Sequence, residues 1–239
     1  MRTAILSDIH GNLEALEAVL TACQDVDVDD YVCLGDIVGY GASPNACVER
    51  IRALTDRVIA GNHDHAAVGL TDLENFNPLA RTAAVWTAGE LTRENADYLR
   101  MRPMTMEAGD TICVHATPYE PEAWHYVFDA DDAEACFSLT GWRLCFLGHS
   151  HVAFICVARG RRRETVSAAT FSDGCRYVIN AGSVGQPRDL DPRAAFALWD
   201  RPGEEVRIVR VGYDIAGAQA RMLNAGLPPL LAERLAVGR

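Results

Sequence analysis

Five short fragments of this chain carry side chains that suit metal chemistry: Asp8-Ile9-His10, Gly35-Asp36, Gly61-Asn62-His63-Asp64, Val114-His115 and Gly148-His149-Ser150-His151. They hold five of the seven histidines of the protein. Asp, His and Asn with no Cys among them form an oxygen and nitrogen donor set, which suits hard or borderline divalent cations rather than a thiolate site. The candidate ligands are Asp8, His10, Asp36, Asn62, His115, His149 and His151. Seven are too many for one ion, so the set argues for two. Asp8 and His10 lie two residues apart and can reach the same ion. Asp36 can bridge two ions, one through each carboxylate oxygen. His149 and His151, one residue apart in an extended loop, can point the same way toward neighbouring ions.

Each fragment follows a short apolar run that reads as a buried strand, and strand ends are where an α/β sheet builds its site. Thr3 to Ser7 is expected as a strand, followed by a helix over Asn12 to Leu20 whose Leu13, Leu16, Val19 and Leu20 share a face. Asn12 is placed to cap it. Tyr31 to Leu34 is the next expected strand, Asn45 to Leu54 a helix, and Arg57 to Ala60 a third strand. Such alternation suggests βαβ units and a largely parallel sheet. Asn77 to Leu99 is helical in pattern, and Thr111 to Val114, Arg143 to Leu147 and Tyr177 to Asn180 read as strands. Phe154 to Val157 and Ser167 to Ala169 suggest a hairpin around Gly160 to Arg163, and Ala194 to Trp199 with Val206 to Val211 a second antiparallel pair turned at Arg201-Pro202-Gly203. The tail, Ile215 to Val237, is helical with a break at Pro228-Pro229. No linker or repeat interrupts the pattern, so one domain over residues 1–239 is expected.

The bulk properties exclude several classes. Net charge is −11, from 33 acidic and 22 basic residues, which opposes binding to duplex nucleic acid. All 22 basic residues are Arg, with no Lys in the chain. No apolar run approaches the roughly 20 residues of a membrane span. The N-terminus runs from Met1 straight into Asp8 without a secretory leader pattern, so a cytoplasmic location is expected. Eight cysteines, with no CxxC pair and several inside apolar runs, read as reduced core thiols.

The order D-x-H, G-D, G-N-H-D, V-H, G-H-x-H over residues 8 to 151 resembles the calcineurin-like metallophosphoesterase superfamily. The later Asn180-Ala181-Gly182-Ser183-Val184-Gly185-Gln186-Pro187-Arg188 stretch is similar to the small bacterial branch related to diadenosine tetraphosphatases and serine/threonine phosphatases. The resemblance implies a four-layer α/β/β/α sandwich with two central mixed β-sheets. It places Asp8, His10, Asp36 and His151 around one cation, and Asp36, Asn62, His115 and His149 around another. Mn, Fe, Zn or Ni are the metals it implies, and the ligands here do not choose among them.

Two cations about 3.5–4 Å apart stabilise both the attacking and the leaving oxygen of a displacement at phosphorus, and a water between them becomes hydroxide near neutral pH. His63 is the candidate general acid for the leaving group, with Asp64 expected to orient its imidazole and raise its pKa. Arg188 is the candidate phosphate contact, assisted by backbone N–H groups around Gly182 and Gly185, with a solvated Arg188 in a plain turn as the alternative. Protein serine/threonine phosphatases of the superfamily carry Asp-Arg where Gly39-Tyr40 stand here, which removes a phosphate clamp from that loop. Tyr40 is then either a substrate contact or a packed loop aromatic.

The expected function is hydrolysis of phosphate ester or anhydride bonds in small organic phosphates: a nucleotide, a dinucleoside polyphosphate or a phosphodiester. A phosphoprotein phosphatase and a non-catalytic metal-binding scaffold are the alternatives. Trp124 and Tyr126, with His65 and His125, either pack or wall the pocket. The Arg159–Arg163 run reads as a solvated hairpin tip, and the Asp25–Asp30 run as a turn, since it lacks the Gly and terminal Glu of a calcium loop.

Overall fold

The computed structural model describes residues 1–74 and 76–239. Its strands are β1 (Arg2–Leu6), β2 (Asp30–Cys33), β3 (Thr105–Ala108), β4 (Thr111–Val114), β5 (Leu144–Leu147), β6 (Phe154–Arg159), β7 (Arg162–Val166), β8 (Ala168–Thr170), β9 (Cys175–Asn180), β10 (Ala194–Asp200) and β11 (Glu205–Val211). Its α-helices are α1 (Leu13–Asp25), α2 (Pro44–Leu54), α3 (Asn62–Ala67), α4 (Pro78–Glu90), α5 (Arg93–Arg100), α6 (Ala130–Ser138), α7 (Ile215–Asn224) and α8 (Pro229–Glu233). Short 3-10 turns cover Pro121–Ala123 and Arg234–Val237.

The strands form two mixed sheets, five-stranded in the order β2-β1-β10-β11-β8 and six-stranded in the order β3-β4-β5-β9-β6-β7. β1 runs parallel to β2, and β4, β5 and β9 run parallel to one another. The sheets face each other across a core of Ile5, Leu34, Phe146, Tyr177, Ile179 and Ala197. Alternation along β5 shows how the layers arise: Leu144 and Phe146 enter that core, while Cys145 and Leu147 join Cys136 and Phe137 of α6 on the other face. The outer face of the first sheet is covered by α1 and α2 through Leu16, Val19, Val48 and Ile51. The result is the expected four-layer α/β/β/α sandwich. A fourth cluster packs the C-terminal helices against α4 and Tyr40, through Ala83, Met222, Leu231 and Leu235.

Asn12 caps α1 as expected, its Oδ1 accepting from Ala15 N–H at 3.1 Å. Three expected elements differ. Arg57 to Ala60 makes only a single bridge, Val58 to Cys33, before the Ala60 N–H turns to the Pro103 carbonyl. The helix expected from Asn77 to Leu99 is two helices, because Leu91 is extended and Thr92 starts a new helix by accepting from Asn95 N–H. The β6 hairpin partner is β7, while Ala168–Thr170 crosses to β11 in the other sheet. The polar patterns of β3 and α6 were not legible as elements.

All eight cysteines are buried and unpaired, and burial pushes the thiols of Cys23 and Cys113 up to about 12. Among the described residues no helix is long and apolar enough to cross a membrane.

Candidate metal centre and its pocket

The carboxyl ends of the parallel strands converge. Asp8 and His10 follow β1, Asp36 follows β2, His115 follows β4, His149 and His151 follow β5, and Asn62 opens α3. Two triads result, Asp8–His10–His151 and Asp36–His115–His149, with the donor atoms of each within 4.8 Å of one another and all six residues buried. Asp8, His10, Asp36, His149 and His151 all hold left-handed backbone, at φ of 51 to 64°.

Distant carbonyls set the ring orientations. His10 Nδ1–H donates to Val38 O at 3.1 Å, His115 Nδ1–H to Leu34 O at 2.8 Å and His151 Nδ1–H to Gln186 O at 2.6 Å. Each turns its Nε2 inward. His149 is reversed: its Nε2–H donates to Trp124 O at 2.9 Å, leaving Nδ1 as the free atom. Such contacts are how ligand histidines are oriented. Inside the site, Asp8 Oδ1, Asp36 Oδ2, Asn62 Oδ1 and His115 Nε2 are buried without a hydrogen-bond partner. The Nε2 atoms of His10 and His151 face each other at 3.1 Å. Orphaned oxygens and opposed nitrogen lone pairs are costly in a dry interior. They fit a pair of divalent cations taken up by oxygen and nitrogen donors.

The Asp36 geometry corrects one expectation. Its Oδ1 accepts the His63 backbone N–H at 2.8 Å, so only Oδ2 faces the site, 3.3 Å from His115 Nε2 and 3.6 Å from His10 Nε2. Oδ2 is thus the Asp36 oxygen that would hold a cation, where both oxygens were expected to be available. Asp8 Oδ2 is likewise taken, by Ser7 Oγ at 2.6 Å and His149 N–H at 3.0 Å. Burial pushes the Asp8 and Asp36 carboxyls up, but the surrounding histidines outweigh it and hold both well below the usual range. Burial lowers His149 to about 3 and His151 to about 4, so both rings are neutral. At His115 burial is outweighed by Asp36, which raises it to about 9.

His63 lines the pocket beside the two triads, and its Nδ1 lies buried without a partner. The expected Asp64–His63 pair does not form. Asp64 instead accepts Val38 N–H and Gly61 N–H, both at 3.1 Å, fastening the loop after β2 to the start of α3. Burial, reinforced by Asp36, raises the Asp64 carboxyl to about 7. Burial also drives His63 well below the usual imidazole range, opposite to the expected rise.

The Gly182–Arg188 loop is not an open anion nest either. Gly182 N–H bonds Asn180 Oδ1, and Gly185 N–H bonds the Asp8 carbonyl at 2.9 Å. A Cβ at Gly185 would fall on the Ile9 carbonyl oxygen. This loop instead scaffolds the triads. Ser183 Oγ donates to Asp8 O at 2.7 Å, and Asn180 Nδ2 donates to Ser150 Oγ and Gly148 O. Asn180, Ser183 and Gln186 were missed as site residues, since their partners lie 30 to 175 positions away. Arg188 is half-buried and held by Gln186 Oε1 at 2.8 Å, with its guanidinium 5.4 Å from the Tyr40 ring centroid. The Tyr40 ring lies 4.7 Å from His10 and 4.5 Å from His63, so both residues stand beside the centre.

A pocket of about 930 Å³ opens from the centre, lined by Asn62, His63, His149, Phe76, Trp124 and Tyr126 among others. Trp124 and Tyr126 therefore wall the site, and His65 lines it too. His125 turns away to Glu120 at 3.1 Å. Arg163 of the basic hairpin pairs with Glu134, and Asp30 of the acidic run with Arg57.

Comparisons with known proteins agree with this geometry. A solved metallophosphoesterase from Sphaerobacter thermophilus is 42% identical, superposes with a TM-score of 0.88, and is matched over 100% of this chain and 99% of that one. An uncharacterised protein of Methanocaldococcus jannaschii is 40% identical over 99% of this chain and 98% of its own length. A symmetrical bis(5'-nucleosyl)-tetraphosphatase of Glaesserella parasuis is 31% identical over 48% of this chain and 44% of its own. The family model for the calcineurin-like phosphoesterase superfamily domain matches residues 1–201. The chain belongs to the calcineurin-like phosphoesterase superfamily and is a metallophosphoesterase.

Proposed function

We propose that residues 1–239 act as one domain that hydrolyses a phosphate ester or anhydride bond in a small organic phosphate: a nucleotide, a dinucleoside polyphosphate or a phosphodiester. The observation that carries this reading is the pair of triads, with their orphaned oxygens, opening into a pocket walled by aromatic rings. Asp8, His10, Asp36 and His151 would hold one divalent cation, and Asp36, Asn62, His115 and His149 the other. Two such cations would supply Lewis acidity at a phosphoryl oxygen and an acidified water. The chain's own residues do the rest. The carbonyls of Val38, Leu34, Gln186 and Trp124 fix the imidazoles before substrate arrives, which removes reorganisation from the reaction. His63 is assigned the leaving oxygen, to which a ring N–H donates. It needs no carboxylate to hold it, because Gly39, Tyr40 and Phe76 enclose the ring. Arg188, steadied by Gln186 and Tyr40, is assigned a non-bridging phosphoryl oxygen. The name of the Glaesserella relative supports keeping dinucleoside polyphosphates within the class, and the buried unpaired thiols support a reducing, cytoplasmic setting.

The test is a rate survey on protein stripped of metal and reloaded separately with Mn, Fe, Zn or Ni. Substrates are p-nitrophenyl phosphate, bis(p-nitrophenyl) phosphate, diadenosine tetraphosphate and a phosphopeptide, with His63→Ala alongside. Metal-dependent turnover of a small ester or anhydride, cut by roughly 10²–10⁴-fold in His63→Ala, is expected. Turnover of the phosphopeptide alone, or none with two ions bound per chain, overturns the reading.

A further inference from the structure

The charge and ring pattern of the pocket narrow the substrate class, an inference that rests on the function proposed above. Among the described residues its lining holds two carboxylates, Asp72 and Glu122, and no arginine, and the chain has no lysine. Arg188 is not part of that lining but borders it beside the triads, its guanidinium 5.4 Å from the ring centroid of the lining residue Tyr40 and bonded to Gln186, its backbone N–H bonded to His151 O. One phosphate can meet Arg188 beside the triads. Further phosphates reaching into the pocket would meet two exposed carboxylates instead.

The rings are arranged differently from one another. Tyr126 is a closed stack: His149 lies at 4.2 Å and 26°, and Phe128 at 5.2 Å and 4°. Trp124 meets His65 and His115 only edge-on, at 88° and 73°, so among the described aromatic contacts no ring stacks on the indole. Its backbone is left-handed, at φ 54°, and its carbonyl is tied to His149 Nε2 at 2.9 Å. The backbone that carries the indole is thus tied to the centre, in a pocket whose other walls include Phe76, Leu70 and Met104. Its volume, about 930 Å³, suits a group of nucleoside size.

We infer that this pocket is a subsite for an uncharged, planar aromatic group carried on a single phosphate, with Trp124 as the stacking surface and Asp72 and Glu122 discriminating against a polyphosphate chain. Stacking on an aromatic face tolerates many rings, so a nucleobase and a nitrophenyl group both fit the chemistry. The carboxylates act by repulsion, a common route to specificity.

The experiment uses the Mn-loaded full chain. Wild type is expected to favour bis(p-nitrophenyl) phosphate over diadenosine tetraphosphate by at least tenfold in kcat/KM. Trp124→Ala keeps the backbone carbonyl that orients His149. It is expected to raise KM for the aryl diester at least tenfold with kcat within threefold, and Trp124→Phe should recover most of the loss. The double variant Asp72→Arg/Glu122→Arg should move the kcat/KM ratio toward the tetraphosphate at least tenfold. Calorimetric titration with cyclic AMP, a single-phosphate diester, reads the subsite independently of turnover. Binding at least tenfold weaker in Trp124→Ala is expected. Wild-type preference for the tetraphosphate, a ratio unmoved by the double variant, or equal cyclic AMP binding in wild type and Trp124→Ala overturns the inference. Loss of all turnover with that binding difference intact would overturn the proposed function alone.

Discussion

Gly39 shows how one residue can shape the chemistry of another. A Cβ built there would stand 2.6 Å from His63 Nδ1, and the backbone is left-handed at φ 93°. The loop can close over the imidazole only because that position has no side chain. Gly39→Ala should therefore shift His63 and cost on the order of 10²-fold in kcat, the scale of a small misplacement of a reacting group. Steady-state kinetics beside a thermal melt would check this, and full activity in the variant would show that the ring has room to spare. At this scale the donor types were legible: Asp8, His10, Asp36, Asn62, His115, His149 and His151 stand out by type and spacing. Their orientation was not, because it depends on carbonyls such as Leu34 O and Gln186 O that come close only after folding. Asp64 was misread for the same reason. Its neighbour in sequence is His63, but its hydrogen-bond partners are backbone amides at Val38 and Gly61.

Elements were legible where burial is uniform. β4 is buried at every position and matches its expected bounds, Thr111–Val114. They were illegible where a local hydrogen bond competes with the pattern, as at Thr92, whose Oγ1 takes Asn95 N–H and ends a continuous helix. The loop after β9 shows a dependence no periodicity could reveal. It scaffolds Asp8 and His151, and its far end is latched to the C-terminal turn by Leu190 N–H to Gly238 O at 2.9 Å. Within it, hydrogen bonds from Arg193 pull the Asp191 carboxyl down to about 2. The folded value lies below the unfolded one, near 3.9. The contribution of Asp191 is therefore fully present above about pH 4 and lost as pH falls through about 2. Asp191→Asn should lower the unfolding free energy measured by urea titration at pH 7 by no more than about 1 kcal/mol, since the pair is partly exposed. The difference should shrink as pH falls toward 2 and vanish below it, and a gap persisting at about pH 1 would assign the effect to something other than charge.

Across the whole molecule, two sheets bring to one place residues from position 8 to position 188. The four-layer arrangement was legible only through the resemblance, since apolar runs alone do not say which strands share a sheet; β8 leaves the β6–β7 hairpin for the opposite sheet. The site also gathers negative charge, with Asp8 and Asp36 buried within it. Cations that bind the folded chain at 100 times their dissociation constant add about 2.7 kcal/mol to its stability. For a chain of this size that corresponds to a rise in Tm of roughly 5–10 °C. Calorimetry with and without a chelator would measure it. An unchanged Tm after metal removal would count against Asp8, Asp36 and their histidines as the cation ligands.

Of the eleven non-glycine residues with positive φ among the described residues, seven belong to the site or its walls: Asp8, His10, Asp36, Tyr40, Trp124, His149 and His151. Each holds a conformation that costs an L-residue about 1 kcal/mol or more and that glycine adopts freely. A sequence chosen for stability alone would place glycine or asparagine at those positions. The site is thus a region that the rest of the fold must hold in place, and the first to relax when the packing around it loosens. Partial loss of stability should silence this protein before it unfolds it.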